Sequence, residues 1–543
     1  MRHQPAAAES TSAERLPWGA LFVLILGTFM GVLDGSIVNV ALPRMMNIFN
    51  VSTDHIQWVL TIYMLVGGMV IPASGYLADR FGYKTVYLGS LALFTVTSML
   101  CGMSWSANSI ILARGFQAIG GGMVMPISMA YVYRIWPKEK IGMALGIWGL
   151  TMMVAPTIGP TLGGYLVDYF SWRLIFYINL PVGLFTVLLG LALLKETPRL
   201  SGLKLDYIGL VLVSGACFAV LFALSKGQGW GWTAQSTATL FVLGFFCFVL
   251  FFFWELHVPQ PVMDVRLLRN STYLLSLAAS SMASIALFTG IFIVPMFTQS
   301  VQGYSPMQTG LILMPAALVA GGLMPLAGKL FDKLGAAILA SCGLALVGVM
   351  TYVLHNITAD MPVRDLQLLL CLRSVGLGFS MMPLMTAGMN TIPGPIVAQA
   401  SAMMSVVRQV AASFGIALVT YVLVDRTAFH TERLSEAIGL LEPLGYYHYN
   451  QVVAGVSGMI GPTAANGTTP GVLAGMVHKQ AAVLAVGDAF VIAAVLAVAA
   501  IPLVFGLTHG RIEAARKREE ERFIAIQRGG GSIHPVGVTE QSH

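Results

Sequence analysis

Gly75-Tyr76-Leu77-Ala78-Asp79-Arg80-Phe81-Gly82 reads G-x-x-x-D-[RK]-x-G, and Gly328-Lys329-Leu330-Phe331-Asp332-Lys333-Leu334-Gly335 repeats it 253 residues later. Each copy lies between two long apolar runs. A charged, glycine-bounded turn at the same place in two hydrophobic halves is the pattern of a duplicated polytopic membrane protein. The echo continues beyond the turns. Arg114-Gly115-Phe116-Gln117-Ala118-Ile119-Gly120-Gly121-Gly122, leading to Pro126, is answered by Arg373-Ser374-Val375-Gly376-Leu377-Gly378, leading to Pro383.

Composition agrees with that reading. The 543 residues are 56% hydrophobic and 10% charged, with a mean hydropathy of +0.78. Soluble proteins carry about 25% charged residues, so a large soluble enzyme is excluded. Residues 1–15 read as a polar tail rather than a signal peptide, and the first apolar run, 18–42, is too long for a signal h-region. Cys101, Cys217, Cys247, Cys342 and Cys371 fall inside apolar runs with no C-x-x-C pair and read as small buried hydrophobes. The histidines make no metal-ligand spacing, so no metal site is expected. The basic residues are scattered over loops, which argues for membrane topology and against a nucleic-acid partner.

Hydropathy predicts fourteen spans: 18–42, 56–78, 84–104, 108–133, 141–165, 173–194, 206–226, 236–256, 273–300, 308–330, 336–355, 364–390, 400–424 and 484–507. With a cytoplasmic N-terminus, twenty Lys and Arg fall inside and seven outside. Both termini are therefore expected in the cytoplasm. The longest non-spanning stretch, 425–483, holds two weakly apolar pieces, Gln451 to Ile460 and Gly471 to Val477, around the breaker-rich Gly461-Pro462-Thr463-Ala464-Ala465-Asn466-Gly467. It reads as an interfacial hairpin on the outer leaflet or as a surface loop. The expected organisation is a tail (1–17), a six-helix bundle (18–195), a two-helix insert with flanking loops (196–272), a second six-helix bundle with the extracytoplasmic loop 425–483 (273–507) and a cytoplasmic tail (508–543).

In this order and spacing the motifs resemble the major facilitator superfamily, specifically its fourteen-helix drug:proton antiporter branch of the EmrB/QacA type. The resemblance covers nearly the whole chain. It rests on Leu33-Asp34-Gly35-Ser36-Ile37-Val38-Asn39-Val40-Ala41-Leu42-Pro43, the Asp79-Arg80 turn and Arg114 with its glycines. Gly159-Pro160-Thr161-Leu162-Gly163-Gly164, Trp172-Arg173-Leu174-Ile175-Phe176-Tyr177-Ile178-Asn179-Leu180-Pro181 and Gly303-Tyr304-Ser305-Pro306 complete it. It implies an all-α major facilitator fold: two six-helix bundles, two inserted helices and a cavity opening alternately to either side.

Asp34 is the sharpest candidate site. It lies inside a long apolar helix, where a carboxylate without a partner is costly. That marks it as a proton acceptor and as an anionic contact for a cationic drug. The resemblance adds that antiporters of this type carry an acid here, and that the arginine matching Arg114 serves proton transfer and holds a polar network. Arg373 and Arg408 are read as structural buried cations. Asp488 and Glu255, near span ends, are read as solvated. Gly159, Pro160, Gly163 and Gly164 make a helix able to kink and pack tightly, and in the family this element marks exporters. Gly75, Asp79, Arg80 and Gly82 read as a conformational gate, which Asp332 and Lys333 repeat without the trailing Lys84. The thirty methionines suit a promiscuous apolar pocket, for which Tyr63, Met125, Trp148, Met152, Phe292, Gln299 and Met382 are candidates.

The resulting expectation is proton-driven export of amphipathic, often cationic, drugs or toxic compounds from the cell membrane. The alternative is export of an endogenous lipid, peptide or metabolite with drugs as incidental cargo. No cofactor is expected beyond the proton gradient, and no enzyme activity, since no nucleophile–base pair appears. The partners are a small-molecule substrate and the lipid bilayer, with the chain acting as a monomer. Some members of the branch work with a periplasmic adaptor, for which 425–483 would be the docking surface.

Overall fold

The computed structural model describes residues 16–137, 140–199, 202–437, 450–454, 457 and 462–528. Among them, fourteen helices are long and apolar enough to cross a membrane. In order they are α1 (Trp18–Phe49), α2 (Thr53–Phe81), α3 (Tyr83–Gly102), α4 (Ala107–Ile135), α5 (Ile141–Tyr169), α6 (Leu174–Leu193) and α7 (Tyr207–Trp230). Then follow α8 (Gln235–His257), α9 (Ser271–Ser300), α10 (Pro306–Phe331), α11 (Lys333–Asn356), α12 (Val363–Met389), α13 (Gly394–Glu436) and α14 (Thr468–Val504). No strand occurs among the described residues. Helices answer the need of each backbone polar group for a partner inside lipid.

Local chemistry starts several of them. Ser106 and Ser109 form a capping box at α4, and Ser305 and Gln308 form another at α10, where Pro306 sits in the first turn. Asp206 caps α7 through Gly209 N. Pro43, Pro72, Pro126, Pro160 and Pro383 lie inside helices, as membrane helices tolerate.

The first six helices pack on one another, chiefly α1 on α5, α3 on α4 and α2 on α4. The last six do the same, with α12 against the α10–α11 run and α9 against α12, α13 and α14. The two sets meet where α5 lies along α10 and where α13 lies against α2 and α4. In the insert, α7 packs on α2 and α13. The outer faces of α8 carry exposed Phe245, Phe246, Phe248 and Phe253, a lipid-facing surface.

The stretch 425–483 differs from its expectation. Helix continues from Val397 to Ala437, and another runs from Pro462 to Ala499. Gly471 to Val477 thus lies in the first turns of α14, not in one arm of a hairpin. The breaker residues from Pro462 to Gly467 begin that helix, because proline fits a first turn whose N–H needs no partner. The 425–437 extension is tied to α14: Arg426 Nε and His430 Nε2 each lie 2.9 Å from Asp488 Oδ2. Residues 438–449, 455–456 and 458–461, and with them half of the Gln451 to Ile460 piece, lie outside the described residues. Past α14, α15 (His509–Arg528) is a polar helix that packs on α9 and on the α10–α11 run. Burial pushes its Glu519 carboxyl upward; Arg522 opposes the shift and Asp264 adds to it.

Candidate functional site

The strongest polar constellation lies inside the first six helices. Asp34 stands at the middle of α1, and Arg114 and Gln117 are one turn apart on α4. Arg114 Nη1 is 2.5 Å from Asp34 Oδ2 and donates to Gln117 Oε1 at 2.8 Å. Asp34 Oδ1 accepts from Gln117 Nε2 at 3.0 Å and from Asn179 Nδ2 of α6 at 3.2 Å. Asn179 also reaches Ser98 Oγ of α3, at 3.0 Å. Arg114 Nε donates to the Val59 carbonyl of α2, 3.2 Å away, and its guanidinium lies 4.0 Å from the Tyr63 ring centre, a cation–π arrangement. Five helices thus meet on one ion pair.

Asp34 and Arg114 are both 0% exposed. Asp34 is therefore not a carboxylate without a partner: it is paired with the arginine that the resemblance assigned to a polar network, and the pair offsets the cost of burying either charge alone. Arg114 Nη2 is buried without a hydrogen-bond partner among the described residues. Gln117 and Asn179 escaped the sequence reading as site residues. The available signal was an amide inside an apolar run, one turn after Arg114 in the first case.

Gly159 and Gly163 set α5 against α1 beside this cluster. A Cβ at Gly159 would collide with Ser36, and one at Gly163 would stand 2.8 Å from Ile37. The other side of α5 touches α10: a Cβ at Gly146 would lie 2.6 Å from the Met324 carbonyl, and Gly164 faces Met307. Pro160 is inside the helix. One element therefore presses on the Asp34 helix and on the second half together.

At the end carrying the repeated turns the two halves touch. A Cβ on Gly75 would lie 3.1 Å from the Ala398 backbone, and one on Gly328 would collide with the Gly142 carbonyl. The first glycine of each copy is thus where a helix of one half meets a helix of the other. The last glycines match as well, with φ of 93° at Gly82 and 77° at Gly335, a region that favours glycine. Asp79 is buried, and its Oδ1 accepts from Tyr83 Oη at 3.0 Å and Arg134 Nη2 at 3.3 Å. Arg134 Nη2 also reaches the Pro395 carbonyl in the first turn of α13, 3.4 Å away. Arg80 Nη1 donates to Tyr76 Oη at 2.5 Å and to the Leu203 carbonyl at 2.9 Å, tying the turn to the insert. Tyr83 and Arg134 were not foreseen. Lys333 is exposed, and the Asp332 side chain lies outside those described.

The pocket candidates divide. Tyr63, Met125, Trp148, Met152 and Met382 share one apolar cluster, whereas Phe292 packs into another. Gln299 is half-buried in α9. Trp148 is an internal strut, donating from Nε1 to Ser128 Oγ at 2.9 Å and Thr28 Oγ1 at 3.2 Å. Arg373, buried in α12, donates to Thr351 Oγ1 at 3.0 Å and the Ala286 carbonyl at 2.7 Å. It repeats the carbonyl contact of Arg114 with no acid beside it among the described residues. Glu255 is fully buried rather than solvated, and its Oε1 accepts from Val262 N at 3.2 Å. The Asp488 side chain is 23% exposed.

A family model described as Major Facilitator Superfamily matches residues 24–416. The chain is 32% identical over 514 residues to "Uncharacterized MFS-type transporter YhcA" of Bacillus subtilis, covering 94% of this chain and 96% of that one. It is 31% identical over 453 residues to "Multidrug export protein EmrB" of Haemophilus influenzae, covering 81% and 88%. Against "Multidrug resistance protein Stp" of Mycobacterium tuberculosis it is 34% identical over 404 residues, 73% and 74% of the two chains. Among solved structures, the human organic anion transporter MFSD10 (TETRAN) superposes with a TM-score of 0.54 at 15% identity, over 89% of this chain and 100% of that one. That last likeness concerns the fold alone.

Proposed function

We propose a function from one premise: the chain belongs to the Major Facilitator Superfamily, a family of membrane transporters. The function is proton-coupled antiport, exporting amphipathic, drug-like compounds by alternating access. Relatives named for multidrug export and multidrug resistance support the cargo class. The observation that carries the coupling is the Asp34–Arg114 pair, sealed within one half and held by Gln117 and Asn179.

A proton on Asp34 removes the anion that Arg114 faces, so the guanidinium must find another acceptor and the five-helix junction rearranges. Movement of α1 passes to α5 through Ser36 and Ile37 against Gly159 and Gly163, and α5 carries it to α10. Asp34 acts here as proton acceptor. The sequence also suggested it as the contact for a cationic drug, but a fully buried carboxylate with three partners is shut off from cargo in this conformation. Gly75, Asp79, Arg80, Gly82 and the second copy around Asp332 and Lys333 form the gate, closed here at the end where they stand. The excess of Lys and Arg on that end, and on both tails, supports a cytoplasmic position for it. One chain forms the whole pathway.

Efflux of lipophilic dyes and drugs from everted vesicles, with and without a pH gradient, tests the reading. Wild-type efflux should follow the gradient, and Asp34→Asn should abolish the gradient-driven part. Equal rates at all gradients, or wild-type rates from Asp34→Asn, would remove the coupling assigned to this residue.

A further inference from the structure

The charges inside the two bundles do not balance. Asp34 is matched by Arg114, and Arg373 rests on a hydroxyl and a carbonyl. Arg408, in α13, has thioethers instead. Its Nη2 lies 2.9 Å from Met125 Sδ and its Nη1 3.7 Å from Met385 Sδ. No carboxylate pairs with it among the described residues. Met125 belongs to α4 in the first half and Met385 to α12 in the second, so the guanidinium stands at the seam between the bundles. Arg408, Met125 and Met385 are all partly exposed there.

A guanidinium keeps its charge at every physiological pH, and sulfur is a weak acceptor. An arginine in an apolar interior without an anion is costly, and in membrane proteins such a group marks a substrate pathway. Its planar fork matches a carboxylate, sulfonate or phosphate with two parallel hydrogen bonds. The methionines around it supply adaptable apolar contact. We propose that Arg408 is the binding site for the anionic headgroup of an amphipathic cargo, whose apolar body lies along Met125 and Met385. This rests on the exporter reading and deepens it by naming the substrate's charge. It replaces the structural role and the cationic cargo suggested by sequence.

The test is equilibrium binding of radiolabelled decanoate and of decyltrimethylammonium to the purified full chain, with no pH gradient. Decanoate should bind about tenfold or more tightly than the cation, the scale of a charge-assisted pair. Arg408→Gln should erase that preference and Arg408→Lys should keep part of it. Met125→Glu, which leaves the arginine in place and supplies a competing carboxylate, should also erase it. Equal binding of the two probes would overturn the proposal, as would decanoate binding unchanged in both Arg408→Gln and Met125→Glu. Displacement of decanoate by equimolar inorganic phosphate would reduce the site to a counter-ion site and overturn it too. Efflux without pH dependence, with decanoate binding intact, would refute the antiport reading and leave this site standing.

Discussion

At the scale of single residues, Arg114 is the most demanding position. It gives one bond to Asp34, one to Gln117, one to a carbonyl of α2 and a face to Tyr63. Lysine offers charge but no planar fork. Arg114→Lys is therefore expected to lose gradient-driven efflux while the protein still folds. Arg114→Ala leaves Asp34 buried and unpaired, a loss of about 3–5 kcal/mol, visible as a lowered unfolding midpoint of the purified chain. If Arg114→Lys exports at the wild-type rate, positive charge alone suffices and the fork has no role. Asp34 and Arg114 stood out in the sequence because charge is conspicuous in an apolar run. Gln117 and Asn179 did not, since an amide there is as readily a satisfied packing residue, and only the convergence of three helices on Asp34 gives them a part.

At the scale of elements, α5 is packed both on the Asp34 helix and on the second half, and in the proposed mechanism it links the two. Gly159→Leu forces a side chain into Ser36 and the backbone of α1. Overpacking of this kind costs about 1–3 kcal/mol, and efflux should fall with it. Gly35→Ala, where the added atom meets open space, should leave both stability and efflux unchanged. Thermal unfolding and vesicle efflux of the two variants, side by side, check the pair, and a silent Gly159→Leu would sever α5 from the mechanism. The repeated turn is read more fully in three dimensions. Its acid, Asp79, is locked by Tyr83 and Arg134 within its own half, while its leading glycine makes the contact across the halves.

At the scale of the molecule, the charge asymmetry predicts topology. Reporters fused to either terminus should be active only in the cytoplasm, and a cysteine placed at the exposed Glu432 should react with impermeant maleimide from outside. Labelling from the opposite side would overturn the cytoplasmic position proposed for the gate. The span pattern was legible throughout, and hydropathy misjudged most the lengths of the last two helices, with α1 also running on to Phe49. A hydropathy window reports the thickness of lipid, whereas a helix can continue into water once Arg426, His430 and Asp488 hold its extension.

The sequence by itself determined fourteen apolar spans, the duplication of the halves, the charge bias between the two ends and the rarity of interior charge. These are sums or repeats along the chain, and folding does not alter them. Only the tertiary structure decided that Asp34 is paired and sealed, that Glu255 is buried, and that Arg408 faces sulfur rather than an acid. Partnership is set by helices distant in sequence, and their register and close approach depend on packing that no local pattern encodes.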